Sequence, residues 1–76
     1  MNSGKPLSFE AGIYNKDVIE ALKNGQRHRH LKDDWAEVHY IKTLAYTVED
    51  ARRKLAAKYP PEQGYVIDAV YPLTEE

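Results

Sequence analysis

The feature that most constrains this chain is a helix signal closed off at both ends. Thr47 followed by Asp50 resembles a capping box with Asp in place of the usual Glu or Gln, and Val48, Ala51, Leu55 and Tyr59 recur behind it at helical spacing. Pro60 disfavours helical geometry at Tyr59 and Pro61 prolongs the break, so the pattern predicts a helix over Val48–Lys58. Gly64 completes a turn made of Pro60-Pro61-Glu62-Gln63-Gly64. Runs rich in β-branched and aromatic residues flank this block, over residues 35–46 and 65–71, and Pro72 ends the second. The second half therefore reads strand, helix, strand.

The first half is shorter and follows the same logic. Leu7, Phe9, Ala11 and Ile13 alternate with Ser8, Glu10 and Gly12, the period of a half-buried strand. Asn15 is placed to cap a helix whose apolar stripe is Val18, Ile19 and Leu22 and whose stop is Asn24-Gly25. Residues 26–34 carry one aliphatic side chain, Leu31, and read as an exposed connection. The order β-α-β-α-β predicts a small two-layer α/β sandwich of about three strands and two helices, with α+β the alternative if the strands are antiparallel. If the last two strands are parallel neighbours, the helix between them is a crossover. One domain over residues 7–73 is expected, after a flexible start at residues 1–6 and before an acidic tail at residues 74–76.

Size makes the core scarce. A chain of 76 residues buries only about 63% of the surface it exposes when unfolded, near the lower limit for a domain that stands alone. Without cysteine there are no disulfides, cysteine-ligated metals or thiol nucleophiles. No more than four apolar or glycine residues occur in succession, so neither a transmembrane helix nor a signal-peptide core is expected, and a cytoplasmic location is the default. With 11 basic and 12 acidic residues, no global field draws the molecule onto nucleic acid or a membrane.

The sheet faces supply the first functional expectation. In the last strand Tyr65, Ile67, Ala69 and Tyr71 share one face and Val66, Asp68 and Val70 the other. In the strand before it Val38, Tyr40, Leu44 and Tyr46, interrupted by Lys42, oppose Glu37, His39, Ile41, Thr43 and Ala45. By count the tyrosine-rich sets face inward. The outer face then keeps Ile41, Ala45, Val66 and Val70, a partly apolar surface that is covered by the first helix, the N-terminal segment, a protein partner or a second copy, or is small enough to be tolerated uncovered. These four residues are the expected interface.

The second expectation comes from local charge. Lys23, Arg27, Arg29 and Lys32 form a segment without an acid, and such cations can neutralise phosphates and release counterions. Asp33, Asp34 and Glu37 follow at once, so a solvated loop with local ion pairs is the plainer reading. His28 and His30 sit two apart, and Asp33, Asp34 or His39 would have to complete a metal set. A polar loop anchored only by Leu31 and Trp35 would hold ligands poorly, so no metal is expected. There is no Gly-x-Ser-x-Gly elbow, phosphate-cradling loop or dinucleotide fingerprint, so no catalytic residue and no cofactor is assigned. Trp35 reads as the anchor where its strand enters the core, and Arg52 and Arg53 as helical partners of Glu49. The sequence thus points to a non-catalytic protein-interaction module that self-associates through an apolar sheet face. The alternative is nucleic-acid or phosphate-ligand binding through residues 23–32.

Overall fold

A computed structural model describes residues 4–73. Its elements are β1 (Leu7–Asn15), α1 (Lys16–Lys23), a 3₁₀ turn (Asp33–Ala36), β2 (His39–Ala45), α2 (Val48–Lys58), a second 3₁₀ turn (Pro61–Gln63) and β3 (Tyr65–Pro72). Residues 4–6 precede β1 without regular structure, while residues 1–3 of the expected flexible start and the acidic tail at 74–76 lie outside the described residues. The result is a three-stranded antiparallel sheet with two helices, a small mixed α/β domain in the order β-α-β-α-β.

The strand order is β2-β1-β3. Because β1 is antiparallel to both neighbours, β2 and β3 run parallel to each other but are not adjacent; the α2 connection passes across β1. β1 is consequently the central strand, and its odd residues build the core. Phe9, Ala11 and Ile13 are buried, and the register sets Ala45 opposite Leu7, Thr43 opposite Phe9 and Ile41 opposite Ala11. α2 lies on that face, with Ala51 against Phe9 and Ala45 and with Leu55 against Ala11 and Ile13. Alanine at Ala11, Ala45 and Ala51 lets helix and sheet approach closely, as a dense interior requires.

β3 departs from strict alternation. Ala11 pairs with Val70 and Ile13 with Ile67, so Gly12 is opposed by two residues, Asp68 and Ala69, in a bulge. The extra residue turns both Ile67 and Val70 inward and Tyr71 outward. Gly12 suits this place because a Cβ there would lie 2.9 Å from Val38 Cγ1.

Caps fix the helix starts. Asn15, fully buried, accepts from the Asp17 and Val18 N–H groups through Oδ1 and donates from Nδ2 to Gln63 O at 3.1 Å, tying α1 to the turn before β3. Gly64 closes that turn at φ +95, and a Cβ on it would meet Asp17 and lie 2.7 Å from Asn15 Oδ1. At α2, Thr47 Oγ1 accepts from Asp50 N–H at 3.0 Å and Asp50 Oδ2 accepts from Tyr46 N–H at 3.1 Å. The Tyr46 bond, with the Lys54 and Arg53 charges, outweighs desolvation and holds the Asp50 carboxyl below its ordinary range. Asp50, and not the expected Glu49, is the acid that pairs in this helix, with Arg53 at 2.6 Å and Lys54 at 3.9 Å.

Trp35 sits on the first 3₁₀ turn instead of beginning a strand, but it anchors as expected. Its ring stacks on His39 at 4.1 Å and meets Tyr65 edge-on at 5.3 Å, packing against the Ala11, Ile13 and Leu55 cluster. His39 Nε2 donates to Asp34 O at 3.0 Å, which holds the turn against the start of β2.

Candidate functional site

The helices leave the even face of the sheet uncovered. Opposite the buried Phe9, Ala11 and Ile13 stand Ser8, Glu10, Gly12 and Tyr14 of β1, with Tyr40, Lys42 and Leu44 of β2 and Tyr71 of β3 alongside. Tyr40 is 66% exposed and Leu44 55%. Val38 folds over Gly12, and Tyr40 Cε1 and Asp68 Cβ also border the place a Gly12 side chain would occupy.

This inverts the expected faces. The tyrosine-rich set of β2 points out, and the set containing Ile41 and Ala45 points in. Ala45 is fully buried, Ile41 and Val70 pack against the buried cluster, and of the four expected interface residues only Val66 lies on the uncovered side, half-buried. The physical reason is twofold. The helix needs small residues beneath it, and the bulge moves Val70 out of phase with Val66.

The charges on the uncovered face are mixed. Glu10 is in register with Lys42 on one side and Tyr71 on the other, and Asp68 stands nearby. Tyr71 Oη donates to Glu10 Oε1 at 2.8 Å. That bond, then desolvation and the neighbouring negative charge of Glu10, raises the Tyr71 hydroxyl above its ordinary value.

The basic segment follows a different plan. Lys23, Arg27, Arg29 and Lys32 are all exposed, and among the described residues none forms an ion pair, so the expected local pairing with Asp33, Asp34 or Glu37 is absent. The loop is shaped by His28, whose Nδ1 accepts from both His30 and Leu31 N–H at 3.1 Å. That nitrogen is therefore engaged. The two imidazoles stand 6.3 Å apart, and among the described residues no group of three or more His, Asp or Glu is arranged to hold a metal ion. A shallow cleft of about 310 Å³ opens among Arg27, Arg29, His30, Lys32 and Asp33, and a second beside His28, His30 and Leu31 reaches Asp17, Gln63 and Tyr65.

No protein-family model matches the chain, and comparison with curated proteins and with solved structures finds no match. Among the described residues no helix is long and apolar enough to cross a membrane.

Proposed function

We propose that this protein is a small cytoplasmic interaction module without a catalytic task, and that it self-associates through the uncovered sheet face. The observation that carries this reading is the exposure of Tyr40 and Leu44 on β2, on the sheet face opposite the one that α2 and Trp35 cover. Aromatic and aliphatic side chains of this kind form the centres of protein interfaces. The face is also electrostatically self-complementary, because in a two-fold contact Glu10 and Asp68 of one copy approach Lys42 of the other.

Size sets the strength. Three strands of seven to nine residues make a patch on the order of 300–400 Å², against roughly 800 Å² per partner in a standard stable interface. The contact is therefore weak, with a dissociation constant of about 10 μM or higher. Sedimentation velocity from about 5 μM to 1 mM is expected to show the average mass rising toward the dimer. The double variant Tyr40→Glu/Leu44→Glu, altered only at exposed positions, should stay monomeric throughout while keeping the wild-type melting curve. A wild type that is strictly monomeric at the highest concentration, with no partner recovered by pull-down, would sink the proposal.

One observation favours a second reading, nucleic-acid or phosphate binding. Among the described residues the four loop cations form no ion pair, which leaves them exposed to phosphate. Against it, the cleft that Arg27, Arg29 and Lys32 line includes neither Tyr40 nor Tyr71, so the cations and the exposed rings share no site. Salt-sensitive retention of mixed RNA or DNA on filters would favour this reading over self-association.

A further inference from the structure

The two edges of the sheet are protected unequally. In an antiparallel ladder, residues alternate between bonding one neighbour and turning their backbone groups to the other side. The Lys16 N–H to Gly64 O bond at 2.8 Å flanks the Asn15–Tyr65 pair, which makes that pair and Ile13–Ile67 the ones not bonded across β1 and β3. Tyr65 and Ile67 therefore direct their N–H and C=O groups outward from β3. The same phase puts Leu44 C=O on the outer edge of β2, where Lys54 Nζ donates to it at 2.9 Å. Lys42 stands on that strand as well, and charged side chains along an edge block further pairing. Among the described residues no side chain bonds the outward backbone groups of Tyr65 or Ile67 in the way Lys54 bonds Leu44. Farther along β3, the bulge at Asp68 and Ala69 and the missing N–H of Pro72 close the edge.

Beside the open segment a shallow cleft of about 480 Å³ separates β3 from α2. Ala56, Pro61, Val66 and Ile67 line it, Lys16 and Arg52 bound it, and no acidic side chain is among the lining residues. Neither cation forms an ion pair among the described residues. Glu49, the acid three residues before Arg52, forms no ion pair with it among the described residues.

The geometry points to this edge as a docking site for an extended acidic segment of a partner protein. The segment adds a short fourth strand along residues 65–67. Its backbone meets the outward groups of Tyr65 and Ile67, alternate side chains enter the apolar cleft, and its carboxylates face Lys16 and Arg52. Main-chain pairing supplies affinity for any extended chain, and the two cations make the choice of an acidic one. The site lies along the first residues of β3, at the far edge of the sheet from Tyr40 and Leu44 on β2, and does not depend on the contact proposed above.

The test uses the full chain, isotope-labelled, with a capped seven-residue probe of alternating valine and threonine carrying glutamate at both ends. Amide shifts are expected to concentrate at residues 65–67 and around Arg52. The Lys16→Glu/Arg52→Glu variant, changed only at exposed positions, should bind about tenfold more weakly or worse, with an unchanged melting curve. A lysine-ended probe should lose a similar factor, and a probe N-methylated at alternate residues should lose binding altogether, because it cannot pair along the edge. Absence of shifts at millimolar probe, or binding that survives N-methylation, would overturn the proposal. So would shifts confined to Tyr40, Leu44 and Tyr71, or protein-only concentration dependence at residues 65–67, which would identify a second copy as the occupant of the edge.

Discussion

The two faces of the sheet differ in a way that apolar content alone does not capture. The inner face is built from Phe9, Ala11, Ile13 and Ala45 beneath Ala51 and Leu55, whereas the outer face carries the larger Tyr40, Leu44 and Tyr71. Alanine is buried at positions 11, 45 and 51, while tyrosine and leucine at positions 40 and 44 stay exposed. A helix can sit on a sheet only where side chains leave room for its backbone, so alanine marks the face that receives α2. Bulky residues on the other face meet no such limit and remain exposed. A surface built this way suits contact with another molecule, and the interior built this way is sensitive to volume.

That difference can be broken most directly by truncating one leucine on each side. Leu55→Ala empties a site at 1% exposure and is expected to cost about 2–5 kcal/mol. Leu44→Ala removes a side chain that is 55% exposed and should change stability by no more than about 0.5 kcal/mol in dilute solution. Urea unfolding of both variants at low protein concentration measures this, and similar costs would refute the assignment of faces. Overpacking provides a smaller effect of the same kind. Ala45→Leu forces a larger side chain under Ala51 and should cost about 1–3 kcal/mol, although leucine is the more apolar residue. A stabilising outcome would mean that α2 does not press on the sheet at this point.

The same contrast explains which parts of the molecule were legible in the sequence. Val48–Lys58 was readable to the residue because Thr47, Asp50, Pro60 and Pro61 act locally, and Asn15 announced α1 for the same reason. The period of β1 set Leu7, Phe9, Ala11 and Ile13 on one face, and the last three are buried while Leu7, at the start of the strand, stays exposed. Strand order was not legible, since the central place of β1 depends on pairings between residues far apart in the chain. The faces failed for two separate reasons. Counting apolar residues favoured Tyr40 and Leu44 over Ile41 and Ala45, although Lys42 already marked their side as the solvated one. In β3, the two-residue period could not foresee a bulge that leaves Ile67 and Val70, three apart, on one face. Gly12 was the available hint, because an isolated glycine within a strand pattern often accompanies a bulge or a close backbone approach. The open edge at residues 65–67 lay beyond sequence reasoning, for it depends on what β3 pairs with.

The smallest expected effect is also the one that joins the two faces to function. Tyr71 donates to Glu10 on the outer face, and that bond raises its hydroxyl above the ordinary tyrosine value. A group whose value is higher in the folded than in the unfolded state contributes stability that is complete below the unfolded value and lost as pH rises through the folded one. The stability difference between wild type and Tyr71→Phe should therefore be constant at neutral pH and shrink above about pH 10, measured as denaturation midpoints against pH at low protein concentration. The variant also tests the interface. If a second copy covers this face, further desolvation disfavours the phenolate, and the Tyr71 ring resonance should titrate at still higher pH when protein concentration is raised. A ring that titrates like a free tyrosine would remove the Glu10 bond from the description of the face. A raised value that is independent of concentration would leave that bond in place and count against self-association across it.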